Sequence, residues 1–315
     1  MNKQPEQDVL GKLNELLESK DNKLTSSFSK PEFPICFIIA LPRTGSTLFQ
    51  QVLASTLDIG YVSNLMASFW SAPYIGALFE KKFQDKTFFS TFKSQYGNTK
   101  GVFEPHEWGW FWKKFLNLKG DDHYIVDESR VDINILKKKL AAIEYVKKSP
   151  LIFDNVYTVA NLSFLKKSLS NTVVVYLNRD PYYVTNSIIN ARVKRYGTID
   201  QFYGHPPHNI SQIKKIEHPI EQIVMQVKTI LDEIKNSFKL LSEKSVLEIQ
   251  FDYLLKYPAQ VSVQFCDFYQ KQGINLNMDE NKLEMLNSFE NRNSNTLLNK
   301  DYNDDLNYFY KKYFG

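Results

Sequence analysis

The sequence predicts an α/β fold of three layers, with helices packed on both faces of a central parallel sheet. Three observations carry that reading. Short unbroken apolar runs, such as Ile35-Cys36-Phe37-Ile38-Ile39, suit strands buried on both faces. Segments with helical spacing alternate with those runs, the pattern of strands joined by crossover helices. The chain has 315 residues, 43% of them hydrophobic, enough to bury a sizeable core.

In chain order, Leu10, Leu13, Leu16 and Leu17 have helical spacing and predict a short amphipathic first helix. A polar stretch over residues 19–30 follows. Residues 33–41 form the first strand, which Pro42 ends, and 46–57 form the next helix with Leu48, Val52 and Leu53 on its buried face. Residues 61–148 are mostly helical by pattern and rich in aromatics. Strands are predicted at 151–153 and 172–177, with a helix between them at 161–168 and another at 182–195. Residues 203–218 read as a loop carrying prolines and histidines. Pro219 opens a long helix with apolar residues at Ile220, Ile223, Val224, Val227, Ile230, Leu231 and Ile234. A last strand covers 246–251, and Pro258 opens a further helix. With no internal repeat and no linker, the chain reads as a single domain over 1–315. Its core spans about 33–270 and its helical insertion about 61–148.

The formal net charge of +4 mildly favours an anionic ligand, and it is too weak and dispersed to argue for nucleic acid. Cys36 and Cys266 read as two free buried thiols in a reducing compartment, with no metal spacing around them. The first residues are polar, without the apolar core of a secretory signal, and no apolar stretch approaches membrane-spanning length. A cytoplasmic protein is the expectation, and a homodimer is compatible with it.

The first strand runs straight into Pro42-Arg43-Thr44-Gly45-Ser46-Thr47 and then into a helix. Such a turn offers free backbone N–H groups and a positive helix end to an anion. Gly45 permits close approach of the backbone, and Ser46 and Thr47 add hydroxyls. A triphosphate loop needs a second glycine upstream and a lysine before the hydroxyl, and both are missing. The cation here is Arg43. A second constellation is Asn178-Arg179-Asp180-Pro181 at the end of another strand, with Ser187 two turns into the following helix. The arginine fork and the serine hydroxyl can converge on one phosphate. Arg192 is a further cation on the same helix. Taken alone, each motif also reads as an ordinary capped helix.

The two motifs together, in this order, resemble the sulfotransferase family that uses 3′-phosphoadenosine 5′-phosphosulfate (PAPS) and releases PAP. The first resembles its 5′-phosphosulfate loop in the arginine form, and the second its 3′-phosphate motif with the serine eight positions after the arginine. The stretch 247–258 resembles the family's closing strand and helix. The resemblance implies a P-loop-type core with a helical acceptor-binding insertion. It also implies donor binding by Arg43, Thr44, Gly45, Ser46, Thr47, Arg179 and Ser187. Sulfuryl transfer to a hydroxyl or amine would proceed in line without a metal, with Arg43 stabilising the leaving phosphate. The acceptor is open: a small molecule, a carbohydrate or a lipid. One position departs from the family. Asp154, in Phe153-Asp154-Asn155, stands where members often carry a lysine, and its charge would repel the donor. That departure keeps open a nucleotide-binding protein without turnover. A small-molecule kinase is the third reading.

Transfer also needs a base for the acceptor proton. The segment 102–112 holds three of the four tryptophans beside Glu104, His106 and Glu107. His106 is the first candidate base, Glu104 the second and Glu107 the third. Against them, Trp108, Phe111, Trp112 and Phe115 form a helical stripe that reads as core, and the glutamates could load a helix start behind Pro105. His205, His208 and His218 share one loop, expected as a solvated lid over the acceptor rather than a metal set. Arg292 reads as part of a plain polar loop.

Overall fold

The computed structural model describes residues 4–83, 87–119, 124–169, 171–291 and 302–315. Arg292 lies outside them. Helix α1 (Gln4–Leu24) precedes strand β1 (Ile35–Ala40) and helix α2 (Ser46–Thr56). Next come α3 (Asn64–Ala67), α4 (Pro73–Phe83), the small hairpin β2 (Ser94–Gln95) and β3 (Asn98–Thr99), α5 (Gly109–Phe115) and α6 (Ile133–Lys147). Strand β4 (Ile152–Asp154) leads through α7 (Val156–Ala160) and α8 (Leu162–Ser168) to β5 (Thr172–Asn178) and α9 (Pro181–Tyr196). The single turn α10 (Ile210–Ile213), α11 (Pro219–Phe238), β6 (Val246–Gln250), α12 (Phe251–Lys256), α13 (Pro258–Gln270), α14 (Glu280–Glu284) and α15 (Asn303–Phe314) complete the described chain.

The main sheet has four parallel strands in the order β4-β1-β5-β6. Strand β1 sits inside it, with Cys36 opposite Ile152 on one side and Val173 on the other. Its side chains alternate between two cores. Ile35, Phe37 and Ile39 join Trp112, Phe153 and the apolar face of α11, while Cys36 and Ile38 pack with Phe49, Val52 and Phe265. A strand buried on both faces has no polar face to alternate with, which is why its sequence is apolar throughout. The three layers predicted from the sequence are therefore present. The chain leaves β1 toward β4 on one side and later returns to β5 on the other. That reversal opens a crevice at the carboxyl ends of β1 and β5, where open α/β sheets bind ligands.

Two elements differ from expectation. Helix α1 has 21 residues, because its second half is docked by polar rather than apolar contacts. Lys139 Nζ donates to Asp21 Oδ2 at 2.6 Å and to Thr25 Oγ1 at 3.0 Å, and Ile75 N–H donates to Asp21 Oδ1 at 2.8 Å. Both ions of the pair are buried, so removing one side alone costs about 3–5 kcal/mol. The β2–β3 hairpin is the second difference, a short pairing inside a segment expected to be mostly helical. Trp108, Phe111 and Trp112 are core, as their stripe predicted, with Trp108 stacked on Phe111 at a centroid distance of 3.9 Å. Both cysteines are free, Cys36 buried and Cys266 half-buried. Among the described residues, no helix is long and apolar enough to cross a membrane.

Candidate active site

A cleft of about 1150 Å³ opens at the carboxyl ends of β1 and β5. Strand β1 delivers Pro42, Arg43, Gly45, Ser46 and Thr47 to its wall, and β5 with α9 delivers Arg179 and Ser187. Thr44 is buried, and its Oγ1 has no hydrogen-bond partner. The first turn of α2 begins at Gly45 (φ 85°) without a side-chain cap, so its N–H groups stay available to an anion. Gly45 is required twice over. Its φ is left-handed, and a Cβ there would lie 2.7 Å from Phe251 Cε2. Arg43 also takes a left-handed backbone, φ 66°, which costs a non-glycine residue about 1–2 kcal/mol.

The two motifs, 136 residues apart, touch. The Arg179 guanidinium donates through Nη1 to the Arg43 carbonyl, which pins the strained residue in place. Arg43 Nε donates to Ser187 Oγ at 3.5 Å. The Arg179 guanidinium also lies 4.4 Å from the centre of the Phe251 ring. Burial, and then the charge of Arg43, lower the Arg179 pKa to about 10, so Arg179 remains a cation at neutral pH. Such a pair of neighbouring cations calls for an anion between or beside them.

Helix α9 starts with Pro181 at its first turn, and Asp180 caps it by accepting from Tyr182 N–H at 2.8 Å. The residues it presents to the cleft, Ser187, Asn190, Ala191 and Lys194, have i, i+3, i+4, i+7 spacing, and Arg195 joins them. Arg192 stands off that stripe, so the further cation expected there is not in the cleft. It is fully buried and donates to Gln222 Oε1 at 2.7 Å and to the Ile199 carbonyl at 3.1 Å. The helical period alone could have separated Arg192 from Lys194.

The three candidate bases part company. Glu104 is buried and holds a loop together. It accepts from Gln51 Nε2 at 2.9 Å, Ser90 Oγ at 2.8 Å, Thr91 N–H at 2.7 Å and Thr91 Oγ1 at 3.1 Å. His106 Nδ1 accepts from Trp108 N–H at 2.8 Å, and burial lowers the ring's pKa. Neither residue lines the cleft, whereas Glu107 does, together with Asp154. Burial first, and then the charge of Asp154, raise the Glu107 pKa to about 8 against the opposing pull of Arg43. Burial likewise raises Asp154 to about 6, with the Ser46 hydroxyl, donating to it, as the opposing influence. The acid at the lysine position therefore acts on Glu107 through its charge, making Glu107 harder to ionise.

The hairpin closes one side. Tyr96 lies under Arg43, 5.3 Å from guanidinium to ring centre, and a Cβ on Gly97 (φ 82°) would overlap Glu107 Oε1. Sequence reading missed this hairpin, although Tyr96-Gly97 is a turn signal. The histidine loop also differs from the solvated lid expected of it. His205 is 3% exposed, while His208 is exposed and bonded to Glu233, and His218 sits against Phe309 and Asp305. Gln226 explains the difference. Its Nε2 donates to the carbonyls of Tyr203 at 3.0 Å and His205 at 2.9 Å, drawing the loop inward. No group of three or more metal-ligating side chains occurs among the described residues.

Residues 34–271 match the model of the Sulfotransferase family. Two crystal structures share the fold. Sulfotransferase STF1 from Mycobacterium tuberculosis H37Rv is 13% identical with a TM-score of 0.57, over 95% of this chain and 81% of that one. Sulfotransferase STF9 from Mycobacterium avium is 13% identical with a TM-score of 0.52, over 94% and 79%. No curated protein matches the chain.

Proposed function

The chain belongs to the sulfotransferase family, and from that membership we propose that it transfers a sulfuryl group from PAPS to an acceptor hydroxyl in the cleft beside Arg43. The observation that carries the donor assignment is the contact between the two motifs. Arg43 and the first turn of α2 form one anion site, Arg179 and Ser187 a second, and the Arg179–Arg43 hydrogen bond fixes their spacing. A nucleotide carrying a phosphate at its 3′ position and a phosphosulfate at its 5′ position matches two such sites. Gly45 fits that use, because any side chain there would fill the cradle against Phe251.

The donor supplies the sulfuryl group; its sulfur–oxygen bond to phosphate breaks as the bond to the acceptor oxygen forms. Arg43 and the loop N–H groups stabilise the charge left on the phosphate. Arg43 cannot protonate it, since guanidinium keeps its proton. The acceptor proton passes to Glu107, which we favour over His106 and Glu104 because it lines the cleft and they do not. Its raised pKa makes it a strong base once ionised, and transfer therefore speeds up as pH climbs through that raised range. The free thiols fit a reducing compartment such as the cytoplasm.

The test combines calorimetric binding of PAP and of ATP with transfer of labelled sulfate from PAPS to a panel of phenols, glycosides and lipids. PAP binds and ATP does not. Glu107→Gln keeps PAP affinity and loses transfer by about 10²–10⁴-fold, the usual contribution of a general base, while Glu104→Gln and His106→Ala retain it per folded molecule. Preference for ATP would favour a kinase, and near-normal turnover in Glu107→Gln would remove Glu107 from the chemistry. PAP binding without transfer to any acceptor would favour a nucleotide-binding protein.

A further inference from the structure

The same cleft is also lined by Tyr124, Val156, Val159, Tyr203 and His205, to which the donor reading gives no role. This region is built rather than incidental. Asn161 Nδ2 donates to the Tyr124 carbonyl at 2.6 Å, and Asn161 Oδ1 accepts from Val126 N–H at 2.8 Å. Next to it, Gln226 holds the carbonyls of Tyr203 and His205, and buried Arg192 in turn holds Gln222 and Gln226. Aromatic rings lie over each other along this wall, Tyr124 at 4.7 Å from Tyr157 and at 5.4 Å from His205.

One atom is left over. His205 is 3% exposed, it lines the cleft, and its Nε2 is buried without a hydrogen-bond partner among the described residues. An unpaired buried polar atom costs about 1–3 kcal/mol, and the fold holds its loop inward at that cost. The sites that recognise small molecules have this composition, apolar and aromatic walls with few placed polar groups.

We propose that Tyr124, Val156, Val159, Tyr203 and His205 form the acceptor subsite, which takes a hydroxylated ring laid face-on against these side chains, with His205 Nε2 as its polar anchor. This rests on the sulfuryl-transfer reading of the same cleft. The tyrosines and valines supply flat apolar surface for a ring face. The imidazole donates to or accepts from a ring hydroxyl according to its tautomer. Burial lowers the pKa of His205 to about 4, so its ring is neutral at neutral pH. Phenols and sugars share this chemistry, and the probes below separate them.

The experiment follows the imidazole nitrogens by NMR on ¹⁵N-histidine protein, with the His205 signals assigned by their loss in His205→Gln. 4-Nitrophenol and methyl β-glucoside are titrated separately, with and without PAP, and PAP affinity is measured on its own. One probe shifts the His205 signals, and which one does so identifies the ring class. Its affinity falls about tenfold in His205→Ala, the effect of one lost hydrogen bond to a buried group. His205→Gln, which keeps a polar atom in reach, recovers most of the loss, and PAP binds equally to all variants. The proposal is overturned if neither probe moves the His205 signals, or if the variants bind the probe as the parent does. Failure of PAP to bind the parent protein would instead overturn the donor reading, and the ring titration without PAP still decides the subsite.

Discussion

Replacing Gly45 by alanine tests the donor site at its tightest point. The new Cβ would lie 2.7 Å from Phe251 Cε2 and 3.1 Å from Cδ2. Ordinary carbon contacts need about 3.5–4.0 Å, so the ring must move by about 1 Å. Phe251 opens α12 and cannot yield freely, and its face carries the Arg179 guanidinium at 4.4 Å. The displacement therefore reaches Arg179 and its hydrogen bond to Arg43. Two separable losses result. The left-handed backbone at φ 85° costs an alanine about 1–2 kcal/mol of fold stability. The disturbed guanidinium–ring contact is worth about 0.5–2 kcal/mol, which weakens PAP binding by about 2–30-fold. Urea unfolding reads the first loss and calorimetric titration of PAP the second. A variant with unchanged stability and a PAP affinity equal to that of the parent would refute the argument that Gly45 and Phe251 shape the donor site.

Asp154→Asn tests the influence of the Asp154 charge on Glu107. The Asp154 charge helps to raise the Glu107 pKa, so its removal moves the rising limb of the pH–rate profile to lower pH. Both carboxyls hold protons more tightly folded than unfolded, so their stabilising contribution is whole below the ordinary carboxylate range and is lost as pH rises through the raised values. The parent therefore loses more stability between pH 5 and pH 9 than the variant; a limb that stays in place would show the two groups to be independent. Arg192→Ala removes charged hydrogen bonds to Gln222 and Ile199 from a fully buried site and lowers stability by about 2–4 kcal/mol in urea unfolding. A loss under about 1 kcal/mol would show that the brace behind the His205 loop is dispensable.

Local chemistry made the anion loop and the Arg179–Ser187 wall of the cleft legible. The apolar run of β1, the break at Pro42 and the glycine at 45 specify a strand, a turn and a helix start in consecutive residues, and such a unit binds anions wherever it occurs. Arg179 and Ser187 were readable for a similar reason, since a strand end and two helical turns fix their separation. The rest of the cleft was not legible, because it is assembled from segments far apart in the chain. Glu104, His106 and Glu107 are neighbours in sequence and equivalent in chemistry. Only the tertiary contacts of Gln51, Ser90 and Thr91 turn Glu104 into a strut, and only the cleft exposes Glu107. His205 was read as part of a solvated loop until Gln226, on a distant helix, bound the backbone around it. The sequence by itself determined the three-layer sheet and the anion loop, because periodicity and turn chemistry act over a few residues. Which acid lines the cleft and which histidine is buried were decided by the tertiary structure, because burial and pKa depend on what other segments bring alongside.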